Sequence, residues 1–138
     1  MTPFPATGFL PASFESIRDK IKLVTFETGQ EWVNIIDPSF KECGAAFGVE
    51  VGQQDEMEGG YYNGVAHLLE HSIFLGETPQ MRQLFTNWNA YTATQETAFL
   101  FSSSAEQFVK AFTEKIEMLY NFKKYPNIKD EVSAVNNE

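Results

Sequence analysis

At 138 residues the chain is the size of one domain or part of one. Its 43% hydrophobic content, with 13 phenylalanines, is enough for a packed core and excludes a disordered segment. A net charge of −9 argues against nucleic acid and anionic membranes as partners, because nothing in the chain neutralises phosphates.

Residues 1–12 hold three prolines and read as an arm. Ser13 opens a short helix over SFESIRDKIK, residues 13–22. LVTFETGQEWVNIID predicts two short strands around Thr28-Gly29-Gln30, and residues 43–52 predict a third with small residues on one side. QQDEMEGGYYN follows as a polar loop, with Gly59-Gly60 marking flexible backbone. Asn63 is placed to cap a helix over 64–75, and Thr78-Pro79 opens another through about Trp88. AYTATQ and TAFLFSS alternate as two more strands. Ser104 and Gln107 form an S-x-x-Q box for a helix over 105–121, whose Phe108, Phe112, Ile116 and Leu119 share a core-facing stripe. Tyr125-Pro126 breaks the chain, and a last helix begins near Ile128. Strands followed by helices mixed with strands predict an α+β fold or a mixed α/β sandwich.

The one cysteine, Cys43, has no disulfide partner, begins no cysteine-based zinc motif and reads as a small buried apolar residue. No run of about 20 apolar residues predicts a transmembrane helix. The N-terminal twenty residues have neither the regions of a signal peptide nor the arginines of a mitochondrial transit segment. The expected compartment is therefore intracellular, cytoplasmic ahead of mitochondrial.

The chain has two histidines, and both lie in NGVAHLLEHSIFLGE, residues 63–77. On a helix His67 and His71, at i and i+4, aim their rings at one point, and Glu70 borders that face. Two imidazoles, a third protein ligand and an open position for water make a catalytic zinc site. Glu70 is placed to act as general base and then to hand the proton to a leaving amine. The competing reading is a surface histidine pair that holds no metal.

The order of the motif is H-x-x-E-H, the inverse of H-E-x-x-H. With its flanks, G-V-A-H-L-L-E-H-S-I-F-L-G, it resembles the pitrilysin/insulysin-type metallopeptidases, a family that also includes the mitochondrial processing peptidases. NAYTATQETAFLF, residues 89–101, is similar to that family's N-A-x-T stretch and the strand after it. DEVSAVNNE, residues 130–138, is similar to the helix whose last glutamate completes the zinc site, and TGQEWVNIID and AAFGVEVGQ are similar to the opening strands. The resemblance covers about residues 22–138. It implies an α+β domain with a mixed, largely antiparallel sheet packed with helices, of which 22–138 is the N-terminal part and 1–21 an arm and short helix.

By the same resemblance one Zn2+ is held by His67, His71 and Glu138, Glu70 is catalytic, and Glu131 stands behind an imidazole. Asn89 and Ala90 lie where a peptide substrate adds as a strand to a sheet edge. A second homologous domain or subunit completes the chamber around the peptide. Two features depart from the family pattern: only twelve residues separate Gly76 from Asn89, where the family has a longer helix, and no glycine pair precedes Asn89. Two functions follow. One is a zinc endopeptidase domain acting on small or unfolded peptides. The other is a truncated, non-catalytic homologue that binds peptide or another subunit.

Overall fold

Ile21–Thr25 and Glu31–Ile35 are rich in β-branched and aromatic residues, and the five residues between them reverse the chain. Gly29, at φ +84°, supplies the left-handed backbone of that turn, where its N–H donates to the Phe26 carbonyl at 2.9 Å. A computed structural model describes residues 2–3, 12–121 and 128–137. The described residues fall into two compact units, 1–40 and 41–138.

In the first unit the strands are β1 (Thr2–Pro3), β2 (Ile21–Thr25) and β3 (Glu31–Ile35), forming one antiparallel sheet in the order β1-β2-β3. Thr2 and Pro3, expected to belong to an arm, pair with Leu23 and Lys22. Residues 4–11 of the expected arm lie outside the described residues. The short helix expected over 13–22 is a 3-10 helix over Ala12–Lys20, and Ile21 and Lys22 pair in β2 instead. Lys20 Nζ donates to Asp37 Oδ2 at 2.6 Å, and Asp37 Oδ1 accepts from the amide and hydroxyl of Ser39. These three bonds hold the Asp37 carboxyl well below the usual carboxylate range.

The second unit is built on an antiparallel sheet of β4 (Glu42–Val49), β5 (Asn87–Thr92) and β6 (Thr97–Ser104), in the order β4-β6-β5. Its helices are α1 (Gln53–Glu58), α2 (Val65–Phe74), α3 (Pro79–Arg82), α4 (Phe108–Tyr120) and α5 (Ile128–Val135). The fold is α+β, as expected from the order of elements. The side-chain period of two divides the sheet into faces. Phe99, Phe101 and Ser103 of β6 turn towards the helices, where Phe101 meets Phe85, Phe108 and Phe112 at ring separations of 5.6–6.3 Å. The register places Gly44, Ala46 and Gly48 beside Ser102, Leu100 and Ala98 on the other face, so β4 does carry its small residues on one side. Cys43 is half buried, with a free thiol.

Three helix boundaries differ from expectation. The polar loop after β4 contains α1, six residues without apolar periodicity, held by tertiary hydrogen bonds. Gln53 and Gln54 donate their N–H groups to the carbonyls of Ala93 and Thr94 at 3.1 and 2.8 Å, so the β5–β6 turn docks on the start of α1. Gly52 permits that approach, because a Cβ there would stand 2.4 Å from the Ala93 carbonyl oxygen. The helix opened by Thr78-Pro79 stops at Arg82 rather than near Trp88. Thr78 Oγ1 caps Met81 N–H at 3.2 Å, but the chain must pair Asn87 with Ser102 five residues after Arg82. The Ser104/Gln107 box does not form. Ser104 ends β6, and α4 begins at Phe108 with no side-chain cap on Gln107.

One side chain on α4 breaks the apolar stripe. Lys115 is fully buried, donating to Glu77 Oε1 from beneath the rings of Phe74, Phe85 and Trp88, 4.7–5.7 Å from its Nζ. Burial pushes the lysine down from its ordinary pKa, more than the Glu77 carboxylate lifts it. Arg82 Nε lies 3.6 Å from Glu77 Oε2.

Candidate metal centre

VAHLLEHSIF forms a helix with two working stripes. Ala66, Glu70 and Ile73, at i, i+4 and i+7, are buried at 8% exposure or less. His67, His71 and Phe74 make the neighbouring stripe, and Phe74 packs on Trp88 of β5 at a ring separation of 4.7 Å. Ser72 returns its hydroxyl to the Leu68 carbonyl at 2.6 Å, so its burial leaves no unpaired donor. The expected cap, Asn63, is not the residue at the start of the helix. That place is taken by Gly64, at φ +87° and with no side chain to offer. The cap comes from Glu56 of α1, whose Oε2 accepts from Gly64 N–H at 2.7 Å and whose Oε1 accepts from Ala66 N–H at 2.5 Å.

The ring nitrogens His67 Nε2 and His71 Nε2 stand 3.2 Å apart, with ring planes at 76°. Two nitrogens bound to zinc at about 2.0–2.1 Å and at a tetrahedral angle stand about 3.3 Å apart. The pair therefore fits a single ion. His71 Nδ1 lies 3.1 Å from Glu131 Oε2 on α5, the helix that packs on α2. With its Nδ1–H donating to that carboxylate, His71 presents the Nε2 lone pair to the point shared with His67. The ligand atoms of His67, Glu70 and His71 all lie within 4.8 Å of one another. Imidazole and carboxylate are the donor set of catalytic zinc sites, and the residues present fit that metal.

Glu70 is 6% exposed, and its Oε2 accepts from Thr92 Oγ1 of β5 at 2.8 Å. Thr97 stands behind Thr92, with its own hydroxyl bonded to the Val51 carbonyl at 2.9 Å. Thr92 is not among the residues that helical spacing marks. Its signal was the last letter of N-A-x-T, but the partner lies 22 residues away and only the packing of β5 on α2 joins them.

Asn89 and Ala90 occupy the middle of β5, one of the two outer strands of the sheet among the described residues. Ala90 shares the α2-facing side of that strand with Trp88 and Thr92. Asn89 lies on the other face, in a depression of about 390 Å3 with Asn87, Leu100 and Gly44. Ala93 N–H donates to the Glu96 carbonyl at 2.8 Å across the closing turn. Antiparallel alternation then turns the backbone groups of Asn89 and Tyr91 towards β6 and those of Ala90 and Thr92 towards the open edge. Glu138, the expected third ligand, lies outside the described residues. Among the described residues no helix is long and apolar enough to cross a membrane.

The family model described as Insulinase (Peptidase family M16) matches residues 33–135. Insulin-degrading enzyme-like 1, peroxisomal, of Arabidopsis thaliana is 34% identical over 86 residues. That match covers 56% of this chain and 9% of the relative's own length.

Proposed function

We propose, from the premise that this chain belongs to the insulinase family (peptidase family M16), that it is a zinc-dependent endopeptidase domain. Its substrates in this reading are small or unfolded peptides. The observation that carries the proposal is the convergence of His67 and His71 on one point with Glu70 beside it.

When bound, a zinc ion supplies Lewis acidity to a carbonyl and acidifies water. His67 and His71 would hold it from one face of α2, with Glu138 as the carboxylate ligand, and Glu131 fixes the His71 tautomer. Glu70 accepts the proton of the attacking water and delivers it to the leaving amine. Thr92 occupies Oε2 of Glu70, which leaves Oε1 to take that proton. The substrate adds as a strand to β5, pairing with the outward N–H and C=O groups of Ala90 and Thr92. Asn89 flanks that strand, and a second homologous domain or subunit closes the chamber.

The test is zinc content together with cleavage of a quenched unstructured peptide. Wild type is expected to bind one zinc and cleave. Glu70→Gln is expected to keep the zinc and cleave on the order of 10²–10⁴-fold more slowly, the usual contribution of a general base. A wild type no faster than Glu70→Gln sinks the catalytic reading. A second reading is a module that binds peptide or another subunit without cutting. Zinc uptake and peptide binding with no cleavage in either protein would select it.

A further inference from the structure

Glu56 is an acidic residue in a polar stretch, 5% exposed, on a helix of six residues. Among the described residues no basic side chain pairs with it. Its two oxygens are taken by the amides of Gly64 and Ala66, at 2.7 and 2.5 Å. Those amides are two of the donors that a helix leaves without an internal partner, and they stand at the positive end of the α2 dipole. The second of them immediately precedes His67. Gly64 has no side chain to do this work, and its left-handed backbone turns the chain so that both amides face Glu56.

The same short helix holds the other side of the site. The Ala93 and Thr94 carbonyls dock on the Gln53 and Gln54 amides, and Gln95 Nε2 donates to Gln54 Oε1 at 3.1 Å. Ala93 follows Thr92, the residue that holds Glu70. Thus α1 is hydrogen bonded at one end to the turn that follows the strand orienting the base. Through Glu56 it is bonded to the helix that carries the base and both histidines.

We propose that Glu56 is a positioning residue of the metal centre, its carboxylate fixing the first turn of α2 against α1 so that His67, His71 and Glu70 meet in register with Thr92. This rests on the zinc reading above. It assigns a function to a residue that touches neither metal nor substrate.

The test compares wild type with Glu56→Gln and Glu56→Ala, with Glu58→Ala as an exposed control on the same helix. Three quantities are read: amide hydrogen exchange in the metal-free protein, zinc affinity by chelator competition, and the visible absorption of the Co2+-substituted protein. Glu56→Gln is expected to speed exchange at Gly64 and Ala66 at least ten-fold while the amides of β6 stay protected. Zinc affinity is expected to fall about ten-fold, the lower end of what loss of an orienting partner does to a metal site. The Co2+ bands are expected to shift, because the ligand angles change. Glu58→Ala should match wild type in all three.

A general loss of stability would instead speed exchange throughout β6 and leave the Co2+ bands of the folded fraction in place, and that result overturns the proposal. So does a Glu56→Gln protein with wild-type zinc affinity and unchanged protection at Gly64 and Ala66. If wild type itself takes up no zinc, the metal reading fails, and exchange at those two amides decides alone whether Glu56 sets the start of α2.

Discussion

The hydroxyl of Thr92 has one proton, and it goes to Glu70. A hydrogen bond to a charged group contributes about 1.5–3 kcal/mol, and its partner here is the proposed base. Thr92→Val keeps the shape and strand preference of the residue and removes that proton. The expected result is a kcat lowered about ten-fold or more, with KM and zinc content unchanged, and recovery in Thr92→Ser. Steady-state kinetics on the quenched peptide beside a metal assay decides it; a raised KM with unchanged kcat would place Thr92 in substrate binding instead. At this scale the sequence is legible where chemistry and spacing coincide. His67, Glu70 and His71 sit within one and a half turns of a helix, so residue type and interval define their geometry. Glu131 is legible through resemblance, and the 3.1 Å approach to His71 gives it a physical partner. Thr92 and Glu56 are not legible, because each acts across a contact that only tertiary packing creates.

Elements were legible where the pattern is long. Strands β2 to β4 and β6, the histidine helix and the start of α5 at Ile128 follow from alternation, helical period and breakers, whereas β5 runs Asn87–Thr92, three residues earlier than the expected AYTATQ. The six residues of α1 have no apolar stripe, and their helix depends on the docked turn at Gly52 and on the bond from Gly52 N–H to Asp55 Oδ2 at 2.8 Å. Lys115 is the sharper case, since period alone cannot say that a lysine on α4 points inward. It does so because Glu77, in the short passage from α2 to α3, reaches it beneath three aromatic rings. Removing one member of such a pair leaves an uncompensated charge. Lys115→Met is therefore expected to destabilise the protein by about 3–5 kcal/mol in urea unfolding, and the double variant Lys115→Met/Glu77→Gln by less than the single one. The sign of the pH effect also follows. Burial lowers the folded pKa of Lys115, so the unfolded chain holds that proton more tightly. This residue's contribution to stability grows as pH rises from its lowered folded value towards the ordinary lysine value of about 10.4, and Lys115→Met removes that slope. A double variant less stable than Lys115→Met would refute the pairing account.

At the scale of the molecule, every described residue of the candidate site belongs to the unit 41–138, and the family match extends from 33 to 135. A metal that binds only the folded site stabilises it by mass action. With free zinc at a hundred times Kd the expected gain is about 2.7 kcal/mol, seen as a raised Tm and reversed by a chelator. Glu70→Gln should keep that rise and His67→Ala should lose it. A rise that persists in His67→Ala would mean the ion sits elsewhere.

The outer rim of β5 has a consequence of its own. Unpaired N–H and C=O groups on a strand do not read sequence, so the rim proposed above to receive a peptide would equally be a template for the same strand of another copy. Crowding the protein invites β5 to meet β5 across a two-fold axis and extend one sheet into the next. The −9 charge opposes this at low ionic strength, because approaching copies repel. Added salt shortens the reach of that repulsion to about 8 Å at physiological strength. Peptide and neighbouring copy would then compete for one rim, and solubility would come to depend on whether it is occupied.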